Sequence, residues 1–217
     1  MALPATYEIT QHRYQAPREN FLEAARFRVK YKDYFHMKNL YVMIREWLIE
    51  NDYATRDDPA YPEELYLQRE HQKAGEELWI WWRFIKGAGG TGSLHRGGDY
   101  WAYYLDVDYH IILLREVEVM HQGIKYKTNW GEPEILITAR LVYDHSGKWR
   151  KNWFMQEMHK LMFKRLMKKE LESHRLELYR DAYRLSEAMK TFFKLKTYLP
   201  EPELQKWWPV HGIGDVE

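Results

Sequence analysis

The chain has no cysteine among its 217 residues. That excludes disulfides, thiolate nucleophiles, cysteine-ligated zinc and the small secreted domain held by disulfide staples. Long hydrophobic runs are missing as well, and no stretch approaches the ~20 apolar residues of a membrane-spanning helix. Residues 1–20 show no basic start leading into an apolar segment, so no signal peptide is expected. Neither sign of charge dominates: 33 Lys and Arg face 32 Asp and Glu, for a formal charge of +1. Such balance provides no global attraction to nucleic acid or to an anionic membrane and leaves only local patches. A soluble, cytoplasmic protein is the expectation.

Glycine and proline are absent from residues 148–199, a run of 52 rich in Leu, Met, Lys, Glu and Arg. As one straight helix it would be about 78 Å long, whereas a compact domain of this size is only about 44 Å across. The run is therefore expected to fold back as a hairpin, or to project and pack against another copy.

Aromatic residues are plentiful, with 10 Trp, 17 Tyr and 8 Phe, enough for a sizeable core. Alternation marks strands. Phe27, Val29 and Tyr31 face one way while Arg26, Arg28, Lys30 and Lys32 face the other. Trp101 to Leu113 alternates without a miss. Segments 65–71 and 78–86 read as a hairpin, and 115–122, 125–130 and 134–144 as further antiparallel strands. Between them, Met37, Leu40, Tyr41, Ile44, Trp47 and Leu48 form a helical stripe ending near Asn51. The fold class is α+β: an antiparallel meander sheet, one helix near the N-terminus, and long C-terminal helices packed on or projecting from one side. Four segments follow: a loosely ordered lead-in (1–24), the sheet domain with its helix (25–147), the helical arm or hairpin (148–199) and an extended Pro/Trp tail (200–217).

The helical run carries a heptad-like series, Leu171, Leu178, Leu185 and Phe192, with Ala182 and Met189 at the intervening spacing. It reads either as the apolar face of a helix on its own sheet or as a seam with a partner. Trp207 and Trp208 in the tail are a paired anchor for the chain's own sheet or for a neighbour. These eight residues are the candidate protein interface, with a homo-oligomer or another protein as partner. The expected function is non-enzymatic: an oligomeric scaffold or adaptor. An RNA- or ribosome-associated binder is the alternative, through the basic groups Arg26, Arg28, Lys30, Lys32 and Lys164, Arg165, Lys168, Lys169. Peripheral membrane contact ranks behind both, since Met-rich stripes commonly fill cores.

One compact group has ligand-type chemistry. Asp106, Asp108 and His110 lie two apart on the clearest strand, so their side chains share a face about 6.7 Å apart. Carboxylate and imidazole suit several divalent metals. A cross-strand charge ladder with Arg26, Arg28, Lys30 or Arg140 explains the same pattern. The glycine-rich stretch 87–98 lacks the Gly-Lys-Ser/Thr ending of a phosphate loop and opens no helix. No cofactor is expected.

Overall fold

A computed structural model of the chain describes residues 20–56, 62–71, 75–87, 100–121, 124–149 and 167–195, together with 153, 157, 158 and 163. The expectations for most of the lead-in, the glycine-rich stretch, Lys164, Arg165 and the tail with Trp207 and Trp208 fall outside these residues. Among them the chain forms a six-stranded antiparallel sheet and two helices, an α+β arrangement. The order along the chain is β1 (Phe21–Lys30), β2 (Asp33–Phe35), α1 (Met37–Glu50), β3 (Glu63–His71), β4 (Gly75–Gly87), β5 (Trp101–His121), β6 (Ile124–Tyr143) and α2 (Lys168–Phe192). In space the strands run β1-β6-β5-β4-β3, with β2 pairing the far end of β6.

The four strands expected between 101 and 144 are two, of 21 and 20 residues. Gly131 and Pro133 read as breaks, yet both lie inside β6. Pairing slips between Ile112 and Arg115, where Leu113 takes a φ of 58°, so two residues of β5 oppose one of β6. This β-bulge favours a glycine opposite it, because a Cβ on Gly131 would sit tightly, 3.2 Å from the Ile112 carbonyl oxygen and 3.3 Å from Leu114 Cα. The bulge keeps the ladder running beyond Pro133 into a two-stranded ribbon that pairs Arg115–His121 with Ile124–Trp130.

Alternation sends Trp101, Tyr103, Leu105, Val107, Tyr109 and Ile111 to one face, where they join Ile80, Trp82 and Phe84 of β4 and Ile135, Ile137 and Leu141 of β6. Both helices close this face. Leu40, Ile44 and Leu48 of α1 are fully buried there. So are Leu178, Ala182, Leu185 and Met189 of α2, spaced by four, three and four residues on one helical stripe. The central residues expected at a partner seam thus face the chain's own sheet. Leu171 and Phe192, at the two ends of the stripe, are partly buried against the same core. α2 is one helix of about 37 Å; it begins at Lys168, with no side chain capping its N-terminus.

The other face of the sheet is also buried, but its composition differs. Trp79, Trp81, Arg83, Tyr104, Asp106, Asp108, Leu136, Thr138 and Val142 all lie on it.

Candidate functional site

Three polar constellations stand out, and two of them are explained by the fold. On the second face, β4 and β5 pair in a register that places Arg83 beside Asp106 and next to Asp108. Its Nη1 donates to Asp108 Oδ1 at 2.5 Å, and its Nε lies 3.9 Å from Asp106 Oδ1. From β6, Arg140 Nη1 approaches Asp106 Oδ2 at 3.2 Å. Asp106 has no exposed surface, and neither of its carboxylate oxygens takes part in a hydrogen bond. Burial pushes its pKa up to about 7, with Arg83 and Arg140 opposing the rise. His110 Nε2 donates to Glu77 Oε1 at 2.9 Å, and the ring stacks on Trp79 with centroids 3.7 Å apart. Asp106, Asp108 and His110 do share a face, but arginines engage both carboxylates and Glu77 engages the imidazole. Among the described residues no group of three or more His, Asp or Glu is placed to hold a metal ion.

The second constellation joins α2 to the sheet. Tyr103 Oη lies 2.7 Å from both His174 Nδ1 and Glu177 Oε2, and Tyr53 Oη donates to Asp181 Oδ2 at 3.0 Å. Burial raises the pKa of both phenols, so they stay protonated and act as donors. Burial also raises that of Asp181, against the Tyr53 hydrogen bond and nearby Lys86. These pegs satisfy hydroxyls that would otherwise be stranded in the core.

The third is an open cleft of about 470 Å³ between the first turn of α1 and the helix-side face of the sheet. Ile80, Met37, Tyr41 and Tyr66 supply its apolar surface, and His36, Lys38, Glu116, Lys127, Thr128 and Asn129 its polar one. Local chemistry holds the wall in place. His36 caps α1, its Nδ1 accepting from the Asn39 amide, while Asn129 Oδ1 accepts from the Met37 amide at 3.1 Å. Tyr41 packs edge-on against Trp82 at 4.8 Å and donates to Glu63 Oε2 at 3.0 Å; Trp82 Nε1 donates to the same oxygen at 2.8 Å. Tyr41 is thus fixed on both its face and its hydroxyl, while Tyr66 is half exposed.

The basic residues of the sheet are engaged in pairs. Arg28 and Lys30 both reach Glu134, at 3.1 and 2.7 Å, and Lys32 reaches Glu132. Arg26 borders a shallow depression with Phe27, Arg28 and Leu136. Lys168 and Lys169 are exposed in the first turn of α2. The cleft was not legible beforehand, because its lining comes from positions 36 to 129 and only strand register brings them together.

No family model matches the chain, and no curated protein matches it. Among solved structures it is similar to one described as the di-domain ARO/CYC StfQ from the steffimycin biosynthetic pathway. Identity is 10%, the TM-score is 0.19, and the match covers 84% of this chain and 54% of that one. The chain therefore spans about half the length of that structure, and so distant a superposition carries no argument about fold or activity.

Proposed function

We propose that this chain is a non-enzymatic binding protein whose ligand occupies the cleft between α1 and the sheet. One observation carries the reading: the opening of about 470 Å³ combines an aromatic and aliphatic floor with a few converging polar groups. Its volume falls in the range of small-molecule sites, about 300–1,000 Å³. Tyr41 supports it because the Glu63 and Trp82 contacts remove its rotamer freedom before any ligand arrives. In the other two constellations arginines already pair the carboxylates and internal partners take up the tyrosine hydroxyls, which favours the cleft over them. The test is fluorescence titration with the neutral dye N-phenylnaphthylamine, on the wild type and on Tyr66→Ala. One saturable site, weakened severalfold by the substitution, is expected. Absence of saturable binding to the wild type, both of this dye and of its sulfonated analogue, would sink the reading.

Assembly is the second reading, and a separate observation favours it. Leu176, Tyr179 and Tyr183 form an exposed stripe on α2. Tyr179 and Tyr183 touch Phe27 of β1, an edge strand of the sheet, at ring distances of 5.7 and 6.1 Å. An apolar stripe beside an open edge is a natural contact for a second copy. Light scattering tests it: a concentration-dependent mass about twice that of the monomer, reduced by Tyr179→Glu with Tyr183→Glu, supports self-association. A monomer of 26.6 kDa at every concentration refutes it. For nucleic acid, the ion pairs of Arg28, Lys30 and Lys32 with Glu134 and Glu132 weaken the charge available to phosphates.

A further inference from the structure

Resting on the cleft as the binding site, we infer that its ligand is an anion: a small, flat apolar body carrying one acidic oxygen group such as a carboxylate or sulfonate. The argument is an inventory of which hydrogen-bonding valences the fold leaves over. His36 Nδ1 is spent accepting from the Asn39 amide, so in the neutral ring the proton sits on Nε2, a donor. Asn129 Oδ1 is spent accepting from the Met37 amide, so what remains is its Nδ2 amide, another donor. Lys38, from the first turn of α1, and Lys127, from the ribbon, both border the cleft. Neither has a carboxylate partner among the described residues, whereas neighbouring Lys125 does, in Glu118 at 3.7 Å. Only Glu116 contributes a negative charge. The polar lining is therefore rich in donors and positive by one charge, with His36 neutral. A neutral or cationic ligand would leave those donors to water, whereas an acidic oxygen group engages several at once.

The apolar half of the ligand follows from the floor. Tyr41 is immobilised, Tyr66 presents an open ring, and Ile80 and Met37 complete a surface suited to a planar aromatic body. The acidic group would then lie toward the rim, between the two lysines and in reach of solvent.

Two dyes of nearly the same shape separate this inference from the binding reading itself. Anilinonaphthalene sulfonate bears the anion, and N-phenylnaphthylamine lacks it. The wild type is expected to bind the sulfonate about tenfold more tightly, a preference that shrinks as salt rises. Lys38→Gln with Lys127→Gln is expected to abolish the preference and leave the neutral dye's affinity unchanged, while Glu116→Gln strengthens the sulfonate severalfold. Equal affinity of the wild type for both dyes overturns the anion and leaves the cleft standing as a binding site. So does a lysine variant that keeps the preference, or one that loses both dyes alike. If neither dye binds the wild type, the cleft and the anion fall together.

Discussion

Replacing Asp106 by asparagine keeps the shape of the side chain and removes a charge that has no exposed surface. Two opposing magnitudes meet at this position. Arg140 Nη1 at 3.2 Å and Arg83 Nε at 3.9 Å attract the carboxylate, and breaking a buried ion pair ordinarily costs about 3–5 kcal/mol. Against that, the carboxylate is stripped of water and makes no hydrogen bond with either oxygen. Burial wins, since the pKa rises from 3.8 to about 7. Because the folded value lies above the unfolded one, the folded state holds an extra proton between them. Stability therefore falls as pH climbs from about 4 to about 7 and is level above that. A rise of that size corresponds to a penalty on the order of 4 kcal/mol above pH 7. The asparagine amide mimics the protonated carboxyl and escapes this penalty. Urea unfolding followed by tryptophan fluorescence is thus expected to find Asp106→Asn more stable than the wild type near pH 8, by about 1–4 kcal/mol. The stability of the variant relative to the wild type should fall by about 3 kcal/mol on going down to about pH 5, as the wild type takes up its proton. Other carboxylates contribute equally to both proteins and cancel. A variant less stable than the wild type by several kcal/mol near pH 8 would show that the arginines dominate, and the reasoning would be refuted.

Tyr103→Phe removes the hydroxyl that lies 2.7 Å from both His174 and Glu177, and it should lower unfolding free energy by about 1 kcal/mol. The loss stays small because those two partners are near enough to the surface to be rehydrated, and an unchanged urea midpoint would deny the peg any role. At the bulge, two glycines are expected to differ. Gly75 has a φ of +88°, and a Cβ there would lie 2.8 Å from both the Leu114 carbonyl oxygen and Arg115 Cγ, so Gly75→Ala should cost about 2–4 kcal/mol. Gly131→Ala meets backbone at 3.2–3.3 Å without the positive φ and should cost about 1 kcal/mol. Thermal melts that reverse this order would show that the β4 entry yields more readily than the bulge.

Much of the fold was legible because the two periodicities are clean. Alternation over 101–111 identifies the central strand and both of its faces, and the stripe from Met37 to Leu48 identifies α1 to within two residues. The heptad-like stripe of the last helix was legible as a pattern but ambiguous in partner, since a helix packed on a sheet and a helix packed on a helix bury the same spacing. What failed was punctuation. Gly131 and Pro133 carry the usual marks of a break, yet a bulge consumes one and the ladder continues past the other. The start of α2 was hidden for the opposite reason: Met167 provides no capping side chain, so nothing in the sequence marks residue 168 as a beginning.

The same distinction governs the sites. A shared face follows from spacing along one strand, so Asp106, Asp108 and His110 were found together. A partner across strands follows from register, which local sequence does not encode. Arg83 gives no local sign of being their counter-ion, because it sits in LWIWWRFIK, a segment that reads as apolar on both faces. Once register supplies Arg83, the acidic group loses most of its appeal as a metal site, because two carboxylates and two guanidiniums already balance in charge. The cleft gains by the same accounting. Its two lysines lie on elements far apart in sequence, and each alone reads as an ordinary solvated cation. Brought to one opening with Glu116 as its single carboxylate among the described residues, they leave the cleft with an excess of positive charge. A folded protein pairs most charges it brings close together. Among the described residues Lys38 and Lys127 depart from that habit beside an apolar floor, and the proposed ligand site rests on this departure.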